Sequence, residues 1–244
     1  GDLLLTGGAS ETGASGSVSM RSASSEGRFA ASGSVSLSTG NTTGLEAASG
    51  DLSLTTGSSE FGAAGSVSVA AGSTNIGDGA GFSVRTGDTA DASKGGDITM
   101  QTGLGRERSG AITFNTASQE YDSGDVSIAT GDSSDANAGS IEISAGSGFG
   151  EITTETSGAA VSIKSGDVGE TRTGGDLSLT SGSGGFGGDL KLRSGVGSSN
   201  SGGAISIEAG EGTGAASGGA VSIEGGFQKS GSGSGGSVAI IGGE

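Results

Sequence analysis

One phrase, Gly-[Ser/Asp/Ala]-U-[Ser/Thr]-U-x-[Thr/Ser]-Gly with U apolar, recurs sixteen or seventeen times along this chain of 244 residues. It reads GDLLLTG from Gly1, GSVSLST from Gly33, GDITMQT from Gly96, GDLSLTS from Gly175 and GSVAIIG from Gly236. Most phrases begin 13 to 17 residues after the one before. A repeat of this kind points to short units that bury their apolar side only against their neighbours.

Within the phrase, apolar residues alternate with Ser or Thr, the period of a strand with one covered face. Two apolar columns result. The first runs Leu3, Val18, Val35, Leu52 and on to Val238; the second runs Leu5, Met20, Leu37, Leu54 and on to Ile240. Only Thr154 breaks the second. Stacked in parallel, each column becomes an internal ladder, and the flanking glycines allow sharp turns. The Thr or Ser two places beyond the second apolar residue (Thr39, Thr56, Thr86, Thr102, Thr116, Thr130) is expected to point inward at that corner. Larger apolar residues between phrases, such as Phe29, Leu45, Phe61, Ile76, Leu104, Tyr121, Phe149, Phe186 and Phe227, are expected to plug the core from the opposite wall. The alternative is an exposed aromatic seam.

The pattern predicts an all-β fold, a β-solenoid (parallel β-helix) with one strand per coil and about 16–17 coils of roughly 13–17 residues. Parallel crossovers favour right-handed coiling. At the usual strand spacing the rod would be about 80 Å long. Residues 1–244 read as one continuous solenoid with an irregular coil at 139–158, where two abbreviated units meet. Neither end carries a cap segment, which suggests continuation or head-to-tail stacking of copies.

Composition narrows the function. The 56 Gly would fit a flexible linker, but the two fixed apolar positions per unit argue otherwise. With 30% hydrophobic and 3% aromatic residues, only a thin core can be filled. The formal charge of −16 opposes nucleic acid as a partner, and no apolar run is long enough for a membrane span. There is no His and no Cys, so no Ser-His or Cys-His nucleophile system and no imidazole metal site can be built. An enzyme is not expected, and neither is a cofactor other than calcium.

Calcium is the weak exception. Asp precedes the first apolar residue at Asp2, Asp51, Asp97, Asp125, Asp176 and Asp189, some of them in Gly-Gly-Asp. The spacing departs from the calcium-binding nonapeptide, in which Asp stands two places before the apolar residue. An outward, solvated Asp at a turn is the plainer reading. One sequon, Asn41-Thr42-Thr43, marks Asn41 as a candidate for N-glycosylation.

The middle phrase position forms a hydroxyl ladder: Ser19, Ser36, Ser53, Ser68, Ser83, Thr99, Thr113, Ser127, Thr153, Ser162, Ser178, Ser206 and Ser222. A flat array of this kind could order water, mineral or glycan. Charges in the adjoining columns, among them Arg21, Arg85, Lys164, Arg193, Glu208 and Glu224, spoil an ice-matching plane.

Through its phrase the whole chain resembles the Gly/Ser-rich β-solenoid repeats of adhesin stalks, fibre shafts and filamentous appendages. The motif is generic to that class and brings no functional residues with it. The resemblance implies an extracellular structural protein, at a cell or particle surface, whose partner is itself. A surface-binding module displaying the Ser/Thr ladder to ice, mineral or glycan is the alternative.

Overall fold

The computed structural model describes residues 1–27, 29–90, 93–148, 157–169 and 172–243. The sequence features at Phe149, Ile152, Thr153 and Thr154, and so part of the irregular 139–158 stretch, lie outside the described residues. The chain divides into two units, Gly1–Asn115 and Thr116–Glu244. The division falls inside the phrase that starts at Gly110.

The expected solenoid is not found. Among the described residues there is no helix and no strand, and therefore no sheet that could coil. A solenoid needs the N–H and C=O groups of each phrase to bond to those of the next coil. The backbone bonds formed here instead close the loops between phrases. In the first unit the N–H of Gly16 donates to the C=O of Gly8 (2.7 Å), Ala80 to Gly72 (3.3 Å), Gly96 to Gly87 (3.1 Å) and Gly110 to Gly103 (3.2 Å). In the second unit Ala159 donates to Gly146 (3.3 Å), Gly175 to Gly166 (3.0 Å), Gly188 to Gly182 (2.9 Å) and Gly203 to Gly195 (3.0 Å). Gly219 to Gly210 (2.9 Å) and Gly236 to Gly226 (2.8 Å) complete the series.

All ten bonds have one sequence address. The donor stands two places before the first apolar residue of a phrase, and the acceptor three places after the second apolar residue of an earlier one. The bond between Ala159 and Gly146 spans the longest interval, and the unit starting at Gly150 falls inside it.

The loops add short-range bonds of their own. Ser10 Oγ accepts from the N–H of Gly13 (3.0 Å), Ser59 Oγ from Gly62 (3.0 Å) and Ser133 Oγ from Ala136 (3.1 Å). A Ser three places ahead of a loop amide is a local alternative to pairing with another chain segment. The Ala47 N–H donates to the Gly44 C=O (3.4 Å) and closes a four-residue turn in which Glu46 takes φ 59°.

The described residues of the two apolar columns therefore do not form internal ladders. No residue among those described is buried. The chain exposes 24453 Å², about two and a half times the roughly 9,500 Å² expected of a compact monomer of 22.7 kDa. The physical reason lies in the composition that makes the repeat recognisable. Each unit offers only two medium-sized apolar side chains against a long Gly- and Ser-rich loop, and glycine loses more conformational freedom on ordering than any other residue. Bonds that close a loop need only local order; a coil-to-coil ladder needs whole units fixed at once.

Candidate functional site

The recurrent structural device is a corner at the base of each loop. Among the described residues only Ser22, Thr86, Thr102, Ser165, Ser181, Ser194 and Gly225 are half-buried; all the others are exposed. Every one of the seven stands two places beyond the second apolar residue of its phrase. Each faces the residue that opens the next phrase. A Cβ placed on Gly96 would lie 3.0 Å from the Thr86 Cβ, and one on Gly110 would lie 3.2 Å from that of Thr102. At Gly203 the corresponding separation from the Ser194 Cβ is 3.4 Å. At Thr130 the hydroxyl also donates to the Gly139 carbonyl (3.2 Å).

Two corners carry glycine in place of a hydroxyl residue, Gly7 and Gly225. There the two backbones come closer still, and a Cβ on either would run into the carbonyl oxygen of Gly16 or Gly236 respectively. At these two corners the missing side chain is required by space, as it is at Gly105, Gly197 and Gly212 within loops.

Two corners are spanned by ion pairs. Arg85 bonds to Asp88 across Thr86, and Lys164 to Asp167 across Ser165. The sequence signal is [Arg/Lys]-[Thr/Ser]-Gly-Asp, read above only as scattered charge in an outward column. Both pairs are well exposed, and such pairs contribute little to stability.

The calcium candidates are not brought together. Lys94 Nζ lies 2.8 Å from Asp97 Oδ2, and Lys191 Nζ 2.8 Å from Asp189 Oδ2, so lysine takes up two of the carboxylates. Asp51, Asp125 and Asp176 are exposed on separate phrases. Among the described residues no group of three or more carboxylates is placed to hold a metal ion.

The described members of the hydroxyl ladder, from Ser19 to Ser222, are all exposed, but without a sheet they do not form a flat array. Thr153 lies outside the described residues. Ser206 Oγ donates to Glu208 Oε1 (3.1 Å) and Ser222 Oγ to Glu224 Oε1 (3.5 Å). Those two hydroxyls serve their own phrase. Asn41 is exposed just ahead of the Gly44–Ala47 turn, and Thr42 Oγ1 accepts from the Gly44 N–H (3.4 Å).

The apolar residues between phrases correct a second expectation. They do not plug a core: Leu45 is 99% exposed, Phe61 95%, Phe186 100% and Phe227 90%, with Val168, at 46%, the partly covered exception. Phrase residues are partly shielded by their own surroundings, as at Ile112 and Val221 (both 51%). In most phrases the first apolar residue is covered more than the second. A shallow recess at Arg21, Ser22, Ala23 and Ser24 is lined by four consecutive residues, too local a wall to enclose a ligand. No helix among the described residues is long and apolar enough to cross a membrane.

Comparison with protein-family models, with curated proteins and with solved structures finds no match to this chain.

Proposed function

We propose that this chain is a structural repeat protein of an extracellular filament, appendage or fibre, and that it works by associating with copies of itself. One observation carries the reading: among the described residues a long, recurring series of large apolar side chains is left exposed, none of them buried. Exposed apolar surface on this scale marks either an interaction surface or an aggregation hazard. Regular recurrence favours the first, because every repeat offers the same kind of patch to a neighbouring copy.

Magnitudes support it. Covering one Leu, Ile or Phe side chain contributes about 1.5–3 kcal/mol. Association costs roughly 4–15 kcal/mol in lost freedom of motion. Roughly three to ten covered side chains per contact therefore suffice, and Gly1–Asn115 and Thr116–Glu244 each expose more than that. The net charge of −16 works in the opposite direction, since like-charged copies repel until salt screens them.

Sedimentation over a range of protein and salt concentrations, followed by negative-stain microscopy, tests the proposal. Filaments that form above a critical concentration, with that concentration falling as salt rises, are the expected result. A chain that stays monomeric at high concentration and high salt, or that gives only amorphous precipitate, removes it.

A further inference from the structure

We infer that Tyr121 is a sulfation site, the acceptor for a tyrosyl sulfotransferase that uses a nucleotide phosphosulfate donor. The inference rests on the extracellular part of the proposed function, because such transferases act on secreted chains.

Tyr121 is the single tyrosine of the sequence. It lies at a bend in the loop 117–123 and is 89% exposed. The base of that loop is a corner of the recurrent kind, where a Cβ on Gly124 would lie 3.7 Å from Thr116 Cγ2. The phenol thus projects from a loop whose two ends are held near each other. Ser118, Ser123 and Gly124 on either side are small and leave the ring accessible to a cleft.

The electrostatic setting is specific. Glu120 and Asp122 flank the tyrosine directly, and Asp125 follows. From Ser109 to Ile163 the sequence holds eight Asp and Glu and no Lys or Arg. An enzyme that binds an anionic phosphosulfate carries a basic site, so flanking carboxylates on the acceptor add charge-assisted contacts and a nearby cation would repel. The same carboxylates disfavour oxidative coupling of two Tyr121 rings, because both copies would bring like charges together.

The transfer balances without an oxidant or reductant. The phenolic oxygen attacks the donor's sulfur and forms an O–S bond. The S–O bond to the donor's phosphate breaks, and the electron pair leaves with the phosphate. The phenolic proton passes to a base of the transferase.

The test uses the full chain, purified unmodified and incubated with a tyrosyl sulfotransferase and labelled donor. One sulfuryl group per chain is expected, mapped by mass spectrometry to Tyr121 and absent from Tyr121→Phe. The paired change Glu120→Gln with Asp122→Asn should slow incorporation about tenfold or more, as expected for loss of charged hydrogen bonds. No incorporation, equal incorporation into Tyr121→Phe, or a rate unchanged by the paired change would each overturn the assignment. So would a parallel assay in which a tyrosine kinase and ATP modify Tyr121 and the sulfotransferase does not. The assay is independent of assembly: a chain that is sulfated yet never forms filaments removes the proposed function and leaves this site standing.

Discussion

The phrases and the loops between them carry their apolar residues in different circumstances. In a phrase, Ile112 or Val221 sits two places after the residue that opens it and is about half covered. In a loop, Leu45 stands between Gly44 and Glu46, and Phe186 between Gly185 and Gly187, and each is covered by almost nothing. The difference follows from where the bonds are. Loop closure draws the corner and the opening residue of the next phrase together, and this shields the positions next to them. The middle of the loop lies farthest from that closure. Loop side chains other than Val168 therefore have the most surface to gain from a neighbouring copy.

The largest effect should come from emptying the loops. Changing Phe61, Phe186 and Phe227 together to Ser removes three side chains that are at least 90% exposed, each worth about 1.5–3 kcal/mol when covered. The critical concentration for assembly should rise by several powers of ten, read by sedimentation. Changing Leu54, Ile112 and Val221 to Ser should raise it less. The reverse order would break the contrast between the two regions.

The corners come next. Gly7→Ala and Gly225→Ala each set a methyl group against a backbone carbonyl, an overpacking strain of about 1–3 kcal/mol. The bonds from Gly16 to Gly8 and from Gly236 to Gly226 should open, and the Gly16 and Gly236 amides should lose protection from hydrogen exchange. Gly57→Ala is the control, since a Cβ there meets nothing within 4 Å. Equal behaviour of all three variants would show that the corners are not under steric constraint.

Thr130→Val tests a smaller element of the same device. It keeps the shape at the corner and removes the bond to the Gly139 carbonyl, a change of roughly 0.5–1 kcal/mol. Faster exchange confined to the loop 131–139 is the expected signature. Smallest of all, Arg85→Ala and Lys164→Ala break exposed ion pairs across their corners. Loop protection should be unchanged at moderate salt; a clear loss would mean that these pairs hold the corners shut.

The corner was partly legible in the sequence. A Thr or Ser two places beyond the second apolar residue, in most phrases with glycine directly after it, marks a turn because a hydroxyl can serve nearby backbone groups. Thr86 and Thr102 are half-buried there, and so are Ser22, Ser165, Ser181 and Ser194. The partner of the corner was not legible. Alternation of Leu52 and Leu54 with Ser53 states only which residues share a side. It does not state whether the backbone will bond to the next phrase or close its own loop. The ion pairs at Arg85 and Lys164 were missed because a basic residue in an outward column reads as solvated until its Asp is seen three places on.

By itself, the sequence determined the repeat, the corner positions, the acidic charge and the lack of His and Cys. These depend on residue identity and spacing alone. Only the tertiary structure decided that the described phrases form no strand pairs and that most loop residues lie open. Those outcomes turn on a competition between local loop closure and long-range pairing. With two medium-sized apolar side chains in each Gly-rich unit, local closure wins because it orders the fewest residues for each bond formed.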